Sequence, residues 1–249
     1  MEDRYLRQIA LPEVGAEGQR RLARASVLVV GCGALGTNVA EVLARSGVGR
    51  LVLIDSDRLE PHNLQRQALA VEDDVGRPKA TATADALARV NSEIRLEAHV
   101  ARLDGGNAER LLEGVDLVVD GLDNLPSRYA LNDACVKRVV PWVFAAVAGT
   151  CGMTMPILPG RGPCLRCLLP HPPPQEEVLT AATSGILPAL PRAVASIEAT
   201  WAMRLLLDAD CLPVRLLTVD LWQASYSVEQ VVRSERCPCC GEGRFEFLK

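Results

Sequence analysis

Three groups of residues in this chain of 249 could do chemistry together. Gly31-Cys32-Gly33-Ala34-Leu35-Gly36 is a glycine turn of the kind that lets backbone close on a phosphate. Asp55 follows Gly36 by nineteen residues and is spaced to hold ribose hydroxyls. Further on, Asn63-Leu64-Gln65-Arg66-Gln67 and Gly76-Arg77-Pro78-Lys79 bring cations, and Asp120-Gly121-Leu122-Asp123-Asn124 brings an acidic pair. A glycine turn with a ribose carboxylate would suit a dinucleotide. Added cations and a carboxylate able to ligate magnesium suit a triphosphate being cut better than a dinucleotide being held.

A second set of residues points to a metal. Cys164-Leu165-Arg166-Cys167 and Cys237-Pro238-Cys239-Cys240 are two knuckles with tetrahedral zinc spacing. The expected ligands are Cys164, Cys167, Cys237 and Cys240, which leaves Cys239 free. Four thiolates leave no open position, so such a site is structural. It would pin the C-terminal tail, 234–249, to the segment after the sheet. The competing reading is buried free thiols or a redox pair. Cys32, Cys135, Cys151 and Cys211 read as packing residues. The three histidines, His62, His99 and His171, do not cluster, and surface or packing roles are expected for each.

The elements must place the glycine turn between a strand and a helix. The apolar run 26–30 reads as the strand and 35–46 as its helix. Gly31 then allows the tight turn, Gly33 lets backbone approach phosphates, and Gly36 lets helix and strand pack closely. Free N–H groups and the positive end of the helix dipole complete an anion site. The run 50–54 is a second strand ending at Asp55. Residues 78–91 are helical with Pro78 in the first turn, and 94–100 alternate as a strand. Residues 116–120 and 141–147 read as buried strands, with a helix over 126–138 between them. This alternation predicts an α/β fold, a Rossmann-like doubly wound, mostly parallel sheet. Antiparallel strands within 150–158 and 216–232 extend it, and 193–207 is a long, nearly all-apolar helix expected to be buried. The whole chain, 1–249, reads as one domain, with a mobile crossover at about 170–185 around a proline-rich linker, 171–177.

Composition excludes several classes. The net charge is −4 at pH 7, with no basic stripe, which argues against nucleic acid. The apolar run 142–148 falls far short of the ~20 residues that span a bilayer, and the charged start 1–4 has no signal-peptide character. A cytoplasmic protein with no membrane partner is expected, its nine cysteines reduced or on metal rather than in disulfides.

The ordered set of motifs resembles the MoeB/ThiF/HesA family, bacterial relatives of ubiquitin-activating enzymes, and is closest to the MoeB type. Arg4-Tyr5-Leu6-Arg7-Gln8-Ile9, the glycine turn, Asp55-Ser56-Asp57, Asn63 to Gln67, Gly76 to Lys79, Asp123-Asn124 with Arg128, and the two cysteine pairs carry it across nearly the whole chain. The resemblance implies that the protein uses ATP and Mg²⁺ to adenylate the C-terminal glycine of a small ubiquitin-like sulfur carrier ending in Gly-Gly. Pyrophosphate leaves, and a separate donor supplies sulfur. A carboxylate attacking an α-phosphate brings two negative groups together, so positioning and charge neutralisation do most of the work. By motif, Gly31, Gly33, Ala34, Gly36, Asp55, Asp57, Asn63, Asn124 and Arg128 line the nucleotide. Arg66 and Lys79 contact the phosphates, Asp123 ligates Mg²⁺, and Arg7 reaches in from the other protomer of a homodimer. Taken singly, Lys79 could be a solvated surface charge, Arg66 could pair with Asp55 or Asp57, and Asp123 could cap the following helix.

Relatives that form a thioester carry a cysteine in the crossover, where this chain has Ala181. Direct use of the acyl-adenylate is expected instead. Ala34 and Leu122 are smaller departures. The competing functions are a peptide-modifying adenylating enzyme of a biosynthetic cluster, a non-catalytic subunit of an activating enzyme, and a nucleotide-linked dehydrogenase.

Overall fold

The computed structural model describes residues 2–174, 180–208 and 214–249, and every structural statement below concerns these. The first half contains helices α1 (Glu2–Ile9) and α2 (Gly15–Arg24), strand β1 (Ser26–Val30), helix α3 (Ala34–Arg45), strand β2 (Arg50–Ile54), helix α4 (Lys79–Val90) and strand β3 (Arg95–His99). Next come helix α5 (Ala108–Leu111), strand β4 (Leu117–Asp120), helix α6 (Leu125–Arg138), and strands β5 (Trp142–Ala148) and β6 (Cys151–Ile157). The rest comprises helices α7 (Leu165–Leu168), α8 (Ala181–Ser184) and α9 (Ala189–Leu207), then strands β7 (Arg215–Asp220) and β8 (Ser225–Gln230).

The strands form one sheet in the order β3-β2-β1-β4-β5-β6-β7-β8. From β3 to β5 every pairing is parallel; β6, β7 and β8 add antiparallel. The central strands are apolar because both faces are covered. In β1, Val27 and Val29 face the layer built by α3, α4 and α9, while Leu28 and Val30 face the layer containing α6. The same period-two division recurs in β2, with Leu51 and Leu53 on one side and Val52 and Ile54 on the other. Each such side chain contributes roughly 1.5–3 kcal/mol by leaving water.

The connections leave β1 and β4 as neighbours whose chains wind away in opposite directions. In an open α/β sheet, ligands bind in the crevice outside the carboxyl ends at such a point. The turns after β1 and β4 therefore frame the site.

The expected strands and the helices after β1 and before β3 form within a residue or two of their predicted bounds. Five of the described helices were not foreseen: α5, α7 and α8 are single turns too short for a periodic pattern, and α1 and α2 precede the sheet and are polar on most of their surface, so an apolar pattern scarcely marks them. Helix α9 starts at Ala189 rather than 193, with Pro191 tolerated in its first turn. Residues 175–177 of the proline-rich linker, the adjoining crossover residues 178–179, and Cys211 lie outside the described residues. No described helix is long and apolar enough to cross a membrane.

Candidate active site and metal centre

The crevice is built by bringing two backbones together without side chains. A Cβ on Gly36 would lie 1.8 Å from the Gly31 carbonyl oxygen, and one on Gly121 would lie 2.2 Å from the same oxygen. Gly31 has φ +90°, which an L side chain rarely adopts, and a Cβ there would meet Gly121 O at 2.5 Å. Gly33 differs. A Cβ there would meet only Gly121 O at 3.9 Å, so the space before it is open. Gly33 is also the N-cap of α3 and supplies no side-chain cap, and Ala34 opens the helix. The first N–H groups of a twelve-residue helix thus face an open space, an anion-binding arrangement.

Asp55 stands at the end of β2 beside this turn. Its Oδ2 accepts the Cys32 N–H at 2.7 Å and its Oδ1 accepts the Asp57 N–H at 2.7 Å. Burial pushes the carboxyl up, opposed by these N–H groups and by Lys79. Lys79 opens α4, and its Nζ lies 2.9 Å from Asp57 Oδ2 with only 12% of its side chain exposed. It is not a solvated surface charge. The Lys79 ammonium holds the Asp57 carboxyl below the usual range. Partial burial lowers the Arg66 guanidinium pKa, and the Asp123 carboxylate opposes this. Arg66 Nη1 donates to His62 O at 2.8 Å, and the structure gives it no bond to Asp55 or Asp57. Asn63 is buried, and its Oδ1 accepts the Glu60 N–H at 3.0 Å. Its side chain therefore shapes the turn that presents Arg66.

On the facing wall, Asp123 is exposed just beyond β4. Asn124, not Asp123, caps α6: its Oδ1 accepts the Ser127 N–H at 3.0 Å. Asn124 Nδ2 also lies 3.4 Å from Asp123 Oδ1. Arg128, expected at the nucleotide, is turned inward. Its Nε donates to Asp120 Oδ2 at 2.8 Å, and its Nη2 donates to the Leu122 and Ala145 carbonyls at 2.5 and 2.8 Å. Arg128 thus braces the loop carrying Asp123. Glu198 of α9 joins this network, its Oε1 accepting the Asp120 N–H at 2.8 Å. Sequence reading missed Glu198. Its signal was one carboxylate in the middle of an apolar helix.

Arg7 is exposed on α1. That helix is tied to the far end of α3: the Tyr5 hydroxyl accepts from Asn91 Nδ2 at 2.9 Å, and Gln8 Nε2 donates to Ser46 O at 2.9 Å. Twelve helical residues, about 18 Å, separate that end from the glycine turn. Arg7 is not brought to its own chain's crevice.

The four expected cysteines converge, their Sγ atoms all within 4.8 Å of one another. Cys164 and Cys237 lie 3.6 Å apart, and Cys167 and Cys240 3.4 Å. Tetrahedral Zn–S bonds of about 2.3 Å imply S···S separations of about 3.8 Å, so the donor set fits zinc. Cys239, left free of the expected donor set, is buried, and its Sγ accepts from Asn132 Nδ2 at 3.2 Å. Cys32 and Cys135 are buried too. Cys151 is a correction: it is exposed at the start of β6, its Sγ donating to Asp220 Oδ2 at 3.3 Å. Ala181 opens α8, capped by Thr180.

The ThiF family model matches residues 5–240. The chain belongs to the ThiF family. A relative from Thermus thermophilus, named sulfur carrier protein adenylyltransferase, is 45% identical over 96% of this chain and 91% of its own. SAMP-activating enzyme E1 of Haloferax volcanii is 43% identical over 99% of this chain and 92% of its own. Among solved structures, E. coli MccB with ATP superposes with a TM-score of 0.81 at 25% identity, covering 96% of this chain and 74% of that one. The ThiF-family fold thus accounts for the parallel sheet, the glycine turn and the antiparallel extension.

Proposed function

We propose that this ThiF-family chain adenylates the C-terminal glycine of a small ubiquitin-like sulfur carrier at the expense of ATP. A carboxylate oxygen of the carrier bonds to the α-phosphorus, the bond from that phosphorus to the β-bridging oxygen breaks, and pyrophosphate leaves with the electron pair. The observation that carries the reading is the open space at Gly33, between a bare helix N-terminus, the side bearing Lys79 and Arg66, and the facing wall bearing Asp123. Relatives named sulfur carrier protein adenylyltransferase and sulfur carrier protein ThiS adenylyltransferase are 45% and 38% identical, against 25% for the MccB structure, which favours a carrier protein as substrate.

In this reading Asp55 holds the ribose, while α3 and Lys79 receive the phosphates. Lys79 would exchange Asp57 for phosphate. Asp123 would hold Mg²⁺, which supplies charge neutralisation at the α-phosphate when bound. Arg7 would serve the neighbouring site of a homodimer, because its own crevice lies at the other end of α3. Cys164, Cys167, Cys237 and Cys240 would hold Zn²⁺, away from the chemistry. A separate donor would bring sulfur to the acyl-adenylate, in the cytoplasm. The test is ATP–pyrophosphate exchange against a panel of small proteins ending in Gly-Gly. Exchange that needs one such carrier and disappears when its last glycine is removed is expected. ATP binding without exchange for any of them, or exchange driven equally by short peptides, would overturn the carrier assignment.

A further inference from the structure

The sheet opens at the carboxyl end of β4. Strands β4 and β5 pair at Val118↔Trp142 and Val119↔Val143, and the ladder goes no further. At Asp120 the peptide N–H has lost the strand carbonyl it would have used, and a buried unpaired N–H is costly. Glu198 fills that place from α9, its Oε1 accepting the Asp120 N–H at 2.8 Å. Arg128 Nη2 takes the Ala145 carbonyl on the β5 side at 2.8 Å. Glu198, Asp120 and Arg128 thus form a polar wedge in the split, with both carboxyl residues fully buried.

The wedge controls the next three residues. Asp120 Oδ1 accepts the Leu122 N–H at 2.9 Å, while Arg128 Nη2 donates to the Leu122 carbonyl at 2.5 Å. The Leu122 peptide groups are therefore fixed from both sides, one residue before Asp123. Gly121 presses against the Gly31 carbonyl and leaves no slack. One guanidinium serves two buried carboxyl groups, so only one of them can remain ionised without an uncompensated buried charge. Asp120 holds the ion pair with Arg128 at 2.8 Å. Glu198 makes a single bond, as an acceptor through Oε1, and its Oε2 has no partner among the described residues. Burial, with Asp120 beside it, pushes the Glu198 carboxyl well above the usual range. It is the neutral member.

We infer that Glu198 is a positioning residue for the adenylation step: by accepting the Asp120 N–H, it sets where the loop presents Asp123. The inference rests on the magnesium reading of Asp123 given above. Only the acceptor oxygen is required, so Glu198→Gln should exchange pyrophosphate within about threefold of wild type. Glu198→Leu removes the acceptor and frees the β4 end. Loss of a residue that orients a metal ligand typically costs about 10–100-fold in affinity or activity, and that loss should fall on kcat and on the Mg²⁺ concentration giving half the maximal rate. The KM for ATP at saturating Mg²⁺ should move little, since the glycine turn and Lys79 are untouched. A purely structural role would lower the thermal midpoint without moving the Mg²⁺ midpoint. Where Glu198→Leu does not fold, Glu198→Met is the second variant, read the same way.

The experiment titrates Mg²⁺ in ATP–pyrophosphate exchange for wild type, Glu198→Gln, Glu198→Leu and Asp123→Ala. A folded Glu198→Leu or Glu198→Met with the wild-type kcat and Mg²⁺ midpoint overturns the inference. So does a Glu198→Gln as slow as Glu198→Leu. Asp123→Ala at full speed overturns the reading of Asp123 and the inference together. Asp123→Ala slow beside an unaffected Glu198→Leu overturns the inference alone.

Discussion

Two glycines of one turn should fail in opposite ways when each becomes alanine. In Gly36→Ala the new Cβ would sit 1.8 Å from Gly31 O and 2.9 Å from Gly31 C. Both neighbours are backbone, so no rotamer relieves the clash, and α3 must move away from β1 by more than 1 Å. Overpacking of this kind costs about 1–3 kcal/mol and sometimes more. A rigid backbone partner places Gly36 at the upper end, about 3 kcal/mol. For a protein of this size that is a fall of roughly 6–12 °C in thermal midpoint. Gly33→Ala meets nothing nearer than Gly121 O at 3.9 Å, and its φ of −86° suits alanine. The midpoint should therefore hold to about 1 °C. The methyl would, however, occupy the space proposed for phosphate. One lost charge-assisted contact of about 2 kcal/mol would raise the KM for ATP about 30-fold. The assays are thermal unfolding and pyrophosphate exchange over a range of ATP. Equal loss of stability in both variants, or an unchanged ATP KM in Gly33→Ala, would refute the argument that Gly33 is kept for the ligand and Gly36 for packing.

Three further outcomes are expected. Purified protein should contain one Zn²⁺ per chain; Cys240→Ser should release it and loosen the tail, where Phe247 packs 4.7 Å from Tyr129. Structural zinc binding of ~10–16 kcal/mol is available to be lost, and metal analysis showing no zinc, with all four thiols open to alkylation, would disprove the site. Mixing inactive Arg7→Ala with inactive Lys79→Ala should restore about one competent site per mixed dimer, as expected of an arginine supplied in trans; a monomer at working concentration, or no recovery on mixing, would count against it. Incubation with ATP and carrier should give no thiol-sensitive covalent adduct, because the crossover has Ala181 and four thiols are gathered in the proposed zinc site. An adduct on exposed Cys151, with turnover lost in Cys151→Ala, would contradict that.

The parts of this molecule legible in its sequence are those where one residue type has one physical use. A glycine between an apolar run and a helix marks close backbone approach, and a Cβ added at Gly31, Gly36 or Gly121 would fall 1.8–2.5 Å from the carbonyl oxygen of Gly31 or Gly121. Paired Cys-x-x-Cys knuckles mark a tetrahedral donor set, and the four sulfurs converge. Charged residues are less legible, because a cation can serve a ligand or a neighbour. Lys79 and Arg128 carry the same sign and belong to the same set of motifs. Lys79 lies at the crevice against the mostly exposed Asp57, a partner it can leave. Arg128 is spent on Asp120, Leu122 and Ala145, inside the protein. Nothing in local sequence separates these cases; the distinction is made where β4 and β5 part, a tertiary event. Glu198 is the sharper instance. In sequence it is a lone acid, 78 residues from the peptide it serves. Its meaning arises only because the sheet splits behind the loop that carries Asp123 and leaves one N–H without a strand to bind. The split that ends the β4 ladder creates the vacancy that Glu198 fills, so the polar residue buried in α9 and the exposed Asp123 just beyond β4 answer to one feature of the fold.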